Sequence, residues 1–495
     1  MVIAYPIPEG EIPSDDYEIT VGGQTVQAYR CRVSAIPFNT VWPGYQRPLD
    51  QTETASFAYF DITNRCETNV NDSSHAVHTN RFEMEIFVRR GFEEATIRPL
   101  SKTKGRYRAE AKDKKVIFEI DGPGHYTLEL DGFHNALHIF ANPVESYRAD
   151  ITDPNVIYFG PGIHRPGNLE LSSGQTLFID GGAVVHASVK AEKASGIRIV
   201  GHGILDNSEF FRSNEEIDGQ KGSCAKFYDC SNIEVDGVIF RDSSEWTLTT
   251  FGCRNIRINN AKAIGMWRYN SDGFDLCNSQ NAVISNCFLR CFDDCVVLKG
   301  FPRDGRAQNV ENIFVEKCVV WCDWGRGLEI GAETCADEFR NIIFSDCDLI
   351  HSAHIAMDIQ NSGYAHVHKV RFEDIRVEYS RRCDEPIYQD FKEMEYRPKT
   401  KTHIPYLMLA ELHPYYHDIL VPGHAHGKNS DIEFDGIYVS SDLGLPVPES
   451  VFRGLGEGND TSGIRIKNLY FNGEKLDSLE AANIRIGEYA SDVQI

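Results

Sequence analysis

One short pattern recurs through the second half of the chain and limits what it can fold into. A polar residue is followed by apolar residues at the next and third-next positions, then by a small or apolar residue three further on. It reads Asn232-Ile-Glu-Val-Asp-Gly-Val238, Asn255-Ile-Arg-Ile-Asn-Asn-Ala261, Asn281-Ala-Val-Ile-Ser-Asn-Cys287, Asn312-Ile-Phe-Val-Glu-Lys-Cys318 and Asn341-Ile-Ile-Phe-Ser-Asp-Cys347, with starts 23, 26, 31 and 29 residues apart. Weaker copies begin at Lys369, Asp431 and Gly463. Period-two alternation means a strand with one buried face. Strands and turns repeating every 20 to 30 residues, without convincing amphipathic helices between them, mean a solenoid whose coils bury apolar surface only by stacking. The expected fold is all-β: a right-handed parallel β-helix over residues 151–495. Cys287, Cys318 and Cys347 share one offset in the repeat, so they are expected to stack inside it about 4.8 Å apart.

Residues 1–150 lack the repeat. Short β-type runs such as Val116–Ile120 and Tyr126–Leu130, separated by Asp121-Gly-Pro-Gly124, predict a small β-sandwich there. A segment rich in Tyr, His and Pro, residues 383–427, interrupts the repeat and is expected to lie over the binding face. A net charge of −23 repels phosphate backbones and anionic membranes, so nucleic acid and membrane partners are not expected. The apolar runs are too short to span a bilayer. The start has neither a basic n-region nor an apolar h-region, which predicts a cytoplasmic protein. The 14 cysteines are scattered, without paired CxxC spacing, and read as reduced thiols. No signal for oligomeric state is present.

Chemistry-bearing residues concentrate in three successive coils: Trp267-Arg-Tyr-Asn270-Ser-Asp272-Gly-Phe-Asp275, Asp293-Asp294 with Lys299, and Trp324-Gly-Arg326-Gly-Leu-Glu329. Asp272, Asp294 and Arg326 each lie four residues before an apolar residue (Leu276, Leu298, Ile330), so stacking in register puts them on one face. Asp275, Glu329 and Asp358 form a second polar column beside it. Carboxylates one or two coil spacings apart cannot all ionise, and their pKa values separate. Glycoside hydrolysis needs this pairing of a protonated acid with a carboxylate. The spacing alone covers both inverting and retaining geometries. No Asp-x-Asp-x-Asp-Gly spacing is present, so no metal is expected. Trp246, Trp267, Tyr269, Trp321 and Trp324 offer flat faces for a sugar, with Trp267 and Trp324 nearest the charged motifs; His351 and His354 follow in the next coil.

The order Gly201-His-Gly-Ile-Leu-Asp206, Asn270-Ser-Asp-Gly-Phe-Asp275, Asp293-Asp294-Cys295 and Gly325-Arg-Gly-Leu-Glu-Ile-Gly331 resembles glycoside hydrolase family 28, the polygalacturonase group, over about residues 155–370. The leading sandwich and Val156-Ile-Tyr-Phe-Gly-Pro-Gly-Ile-His164 resemble family 49, the dextranase and isopullulanase group of the same clan. The resemblance implies an inverting hydrolase without a cofactor. It makes Asp293 the general acid, with Asp272 and Asp294 positioning and deprotonating the water. The chain departs from the family pattern at four positions. Arg326 stands for its cleft His, Glu329 for a Ser, and Asp358 and Gln360 for the Arg and Lys that bind a galacturonate carboxylate. An Asp there repels an acidic sugar. The expected substrate is therefore a neutral or mixed oligo- or polysaccharide, pectin-related or α-glucan, cleaved from a chain end. Asn270, Trp267, Lys299, Trp324, Arg326, Glu329, His354, Asp358 and Gln360 are the expected substrate-binding residues. A polysaccharide lyase on the same scaffold, polygalacturonase proper and a non-catalytic carbohydrate-binding β-helix are the alternatives.

Overall fold

The computed structural model describes residues 1–35, 49–63, 81–144, 150–215, 218–302, 308–380, 387–388, 397–398, 404–414, 416–441 and 444–495. From Val156–Phe159 to Ala490–Gln494 a single 30-stranded sheet winds through successive coils, its strands paired in parallel with their equivalents in the next coil except for the short Glu474–Lys475, which turns back antiparallel on Thr461–Phe471. Inward positions stack in register: Leu276 faces Leu298, which faces Ile330, which faces Ile359. These side chains belong to one continuous, fully buried apolar core.

The polar residue that opens each repeat has a structural role of its own. Asn232, Asn255, Asn281, Asn312 and Asn341 all have φ between 55° and 59°. Asparagine tolerates this left-handed conformation better than other side chains. Their amides form a ladder: Asn255 donates to Asn232 at 3.1 Å, Asn312 to Asn281 at 2.9 Å and Asn341 to Asn312 at 3.1 Å. Each coil thus turns at the same place and hydrogen-bonds its turn to the one before. Cys287, Cys318 and Cys347 do stack, buried, through the backbone bonds Val319 N to Cys287 O and Asp348 N to Cys318 O. Among the described residues every cysteine is free and buried.

The N-terminal region is a separate β domain of a six-stranded and a five-stranded sheet. Val21, Ile86 and Phe118 of one sheet share a buried cluster with Phe60, Leu128 and Ile139 of the other, as in a sandwich. A further cluster joins the domain to the helix: Tyr29, Phe57 and Phe140 pack against Ile204, Ile239, Ile264, Phe288, Val319 and Trp321. Polar groups at this interface are paired, with Arg290 over the Trp321 ring at 3.8 Å and donating to His138 at 3.1 Å. Burial of that many apolar groups on one side of the helix leaves another side for substrate.

One expectation needs correcting. Within the 383–427 segment, Tyr406–Leu412 is a strand of the helix, paired with Ile355–Asn361 on one side and Ser450–Arg453 on the other. That stretch is a coil, not an excursion. Residues 383–386, 389–396, 399–403 and 415, together with Tyr388's side chain, lie outside the described residues. Among the described residues no helix is long and apolar enough to cross a membrane.

Candidate active site

Register places the two expected columns side by side. Thr247 N donates to Asp272 O, Gly273 N to Asp294 O and Cys295 N to Arg326 O, so Asp272, Asp294 and Arg326 occupy equivalent positions in three adjoining coils. In the second column Thr249, Asp275, Val297, Glu329 and Asp358 follow one another. Val297 separates Asp275 from Glu329, a spacer inside an otherwise polar row. The four acids outside the turn, Asp272, Asp275, Glu329 and Asp358, are buried, as are Asp293 and Asp294 within it.

Two cations hold this charge. Lys299 Nζ lies 3.1 Å from Asp272, 3.4 Å from Asp275, 3.7 Å from Asp294 and 3.9 Å from Glu333. Arg326 lies 3.5 Å from Asp294, 3.4 Å from Asp358 and 3.9 Å from Glu329, and donates to Gln360 Oε1 at 3.2 Å. Two cations cannot neutralise seven carboxyls, so protons must make up part of the difference. Burial, reinforced by Asp294 and Asp272, pushes the Asp293 carboxyl well above its usual range. Burial also opposes ionisation of Asp294, but Arg326 and Lys299 outweigh it and hold that group below its usual range. Burial raises Asp272 to about 7 and Asp358 to about 8, against the pull of Lys299 and Arg326 respectively. Burial likewise holds Asp275 and Glu329 far up, with Asp272 adding to the first and Asp294 to the second. The surroundings thus push adjacent residues apart, Asp293 toward its neutral form and Asp294 toward its ionised one.

Local contacts aim this pair. Asn270 Nδ2 donates to Asp293 Oδ2 at 3.3 Å, and the Arg326 backbone N–H donates to Asp294 Oδ1 at 3.1 Å. Asn270 is itself held by Arg212, which reaches in from residues 207–223 and also donates to Tyr269 O at 2.7 Å. Gly325 completes the arrangement. A Cβ there would stand 2.6 Å from Asp293 Oδ1 and 2.5 Å from Asp294 Oδ1, so the two carboxyls converge over a residue with no side chain.

The aromatic residues divide differently from expectation. Trp246, half-buried, has the Lys299 ammonium 4.2 Å from its ring and lies against Phe251 and Phe301. Trp324 stacks on Phe292 at 5.2 Å and edges onto Tyr269. Trp267 is buried, donates to Asp242 at 2.9 Å and is sandwiched by Arg32 and Arg268; it stands apart from the cluster. Trp321 and His351 belong to the domain interface, His351 bonding Glu129 at 2.5 Å. His354 follows one coil after Gly325, its carbonyl accepting from Tyr406 N. Replacing Trp246 by Ala is expected to lower kcat/KM about tenfold, chiefly through KM, because the lost stacking face binds substrate without exchanging protons; steady-state kinetics would separate the two constants.

Residues 168–409 match the family model Glycosyl hydrolases family 28. The family 28 resemblance holds. A stretch of 173 residues, 33% of this chain and 38% of the relative, is 27% identical to the Aspergillus niger protein named "Putative galacturan 1,4-alpha-galacturonidase C". Another of 221 residues, 39% of this chain and 45% of the relative, is 25% identical to "Probable exopolygalacturonase B" of Neosartorya fischeri. The chain spans about a third to under half the length of the curated relatives it matches. Among solved structures, Dex49A from Penicillium minioluteum covers 99% of this chain and 96% of its own at 13% identity and a TM-score of 0.59. That likeness is one of fold, and it includes the N-terminal sheets, in keeping with the family 49 resemblance.

Against this family 28 background the four departures form one unit. Arg326 contacts Glu329, Asp358 and Gln360 directly, and Gln360 donates onward to Glu411 at 3.3 Å, which Arg453 also holds. Glu333, Glu411, Arg212 and Trp246's position over Lys299 are the parts that sequence reasoning missed. The glutamates and Arg212 lie outside the repeat pattern, and no local spacing ties them to the cluster.

Proposed function

We propose that the protein is an inverting glycoside hydrolase that cleaves a pectin-related or α-glucan oligosaccharide with a neutral sugar at the scissile bond, working from a chain end. The observation that carries this reading is the convergence of the Asp293 and Asp294 carboxyls over Gly325, in surroundings that push Asp293 toward its neutral form and Asp294 toward its ionised one. Asp293 donates its proton to the glycosidic oxygen as that bond breaks. Asp294 and Asp272, on the adjoining coil, position a water and take its proton as it attacks the opposite face of the sugar. Asn270 holds one oxygen of Asp293, and Lys299 keeps Asp272 able to ionise at neutral pH. The family match and the polygalacturonase-type relatives support hydrolysis of a pectin-like substrate in general. The preference for a neutral sugar is supported by the engagement of both cations with the site's own acids, Lys299 with Asp272 and Asp275 and Arg326 with Asp294 and Asp358, which leaves neither dedicated to a substrate carboxylate. Action from a chain end is supported by Arg212, which crowds the Asn270 side of the site.

A lyase would need a deprotonated Lys or Arg as base. Lys299 and Arg326, though buried, are driven far up in pKa by the surrounding carboxylates, which disfavours that alternative. Product formation from galacturonides, rhamnogalacturonan fragments and α-linked gluco- and galacto-oligosaccharides, followed by NMR, tests the proposal. The expected result is an inverted anomer from a neutral or mixed substrate, released from one end. Brisk cleavage of plain galacturonides would keep the mechanism and overturn the substrate argument. An unsaturated product would overturn both.

A further inference from the structure

A cavity of about 570 Å³ opens on the same outer face as the acidic columns, toward the N-terminal end of the helix. Its position follows from register. Lys190 pairs with Lys226, Lys226 with Thr249 and Thr249 with Asp275, so the cavity floor continues the row of Asp275, Glu329 and Asp358. Two to three strand steps, roughly 10–15 Å, separate it from that row. Lysines gather here where the active site gathers acids. Lys190, Lys221 and Lys226 line it with Glu170 and Glu192, and Glu245 pairs with Lys226, so the lining is balanced in charge.

The lysines are held but not used up. Lys190 and Glu192 are 3.2 Å apart and both about half exposed, a pair worth little in water. Lys221 donates to the carbonyl oxygen of Glu215, a neutral acceptor that leaves its charge in place. Lys226 is 2.7 Å from Glu245, and an ammonium has three donors to share. Tyr228 lines the cavity with one face stacked on Phe251 at 5.1 Å, the rings 4° from parallel, and Lys190 Nζ 5.6 Å from its ring centroid. From Phe251 the aromatic surface continues to Trp246 and so to Lys299. A hydroxyl-rich ring with a carboxylate fits this lining, because Lys221 and Lys226 offer donors to the charge beside the aromatic edge of Tyr228.

We propose that this cavity is a saccharide site that seats a carboxylate-bearing sugar at the end of the substrate chain, while the aromatic path leads the following sugars to a neutral unit over Asp293. The orientation of the chain rests on the hydrolase reading; binding in the cavity does not. The probe is digalacturonate, titrated calorimetrically into the Asp293→Asn protein, with neutral galactobiose as its uncharged counterpart. Combined Lys221→Gln and Lys226→Gln substitution is expected to weaken digalacturonate binding at least tenfold and leave galactobiose unchanged. Tyr228→Ala, which alters no charge, is expected to weaken digalacturonate as well and serves if the double variant does not fold. Unchanged digalacturonate affinity in these variants overturns the proposal, and so does equal displacement by inorganic phosphate at the same concentration. Lysine-dependent binding in a protein that hydrolyses no sugar would uphold the cavity and sink the hydrolase reading. Hydrolysis with lysine-independent binding would do the reverse.

Discussion

Asp293→Asn is expected to lower kcat by about a thousandfold, with KM nearly unchanged and the fold intact. A positioned general acid contributes roughly 10²–10⁴ in rate, and the amide keeps the shape and the contact with Asn270 while losing the transferable proton. The pH profile adds a second signature. Asp293 must be protonated and Asp272 ionised, so activity rises toward neutrality as Asp272 ionises near its pKa of about 7 and falls on the alkaline side as Asp293 loses its proton. The variant should lose the alkaline fall. Stability should move oppositely. A carboxyl raised on folding contributes stability that is complete below the unfolded value of about 4 and lost as pH rises through the folded one. Removing the Asp293 carboxyl takes away that loss, so the variant's Tm at pH 8 should equal or exceed the parent's. A large fall in Tm at pH 8 alongside the lost activity would mean that Asp293 holds the coil together, and the acid role would fail.

The β-helix was legible because its signal is repeated and local. Period-two alternation marks the strands, and the shared offsets of Asp275, Glu329 and Asp358 from Leu276, Ile330 and Ile359 put them in one column before any contact was known. Side-chain direction was not legible where another element decides it. Trp267 and Trp324 look equivalent beside their acidic motifs, yet Trp267 has Arg32 of the N-terminal domain against its ring and donates to Asp242, whereas Trp324 stacks on Phe292. His351 looks like a site residue one coil beyond Arg326, but Glu129 lies across an interface that the repeat does not encode. The four departures from the family 28 pattern were read separately. Only the coil stacking joins Arg326, Glu329, Asp358 and Gln360 into a single exchanged network.

Gly325→Ala carries the other large expected effect, and it tests the geometry without touching an ionisable group. The added methyl would lie 2.5 Å from Asp294 Oδ1, 2.6 Å from Asp293 Oδ1 and 2.7 Å from the Asp293 backbone carbon. The carboxyls could swing aside, but the backbone carbon cannot, so the Asp293–Asp294 turn must shift. A displacement near 1 Å at reacting groups costs on the order of 10² in rate. The expected result is a fall in kcat of at least a hundredfold with the alkaline limb displaced, since moving Asp293 from Asp294 weakens the repulsion that keeps it protonated. The coil itself should survive, because the inward residues Leu328 and Ile330 keep their places in the core. Ordinary kcat with an unshifted pH profile would mean that the two carboxyls do not act from above Gly325, and the assignment of acid and base would have to move to other members of the cluster.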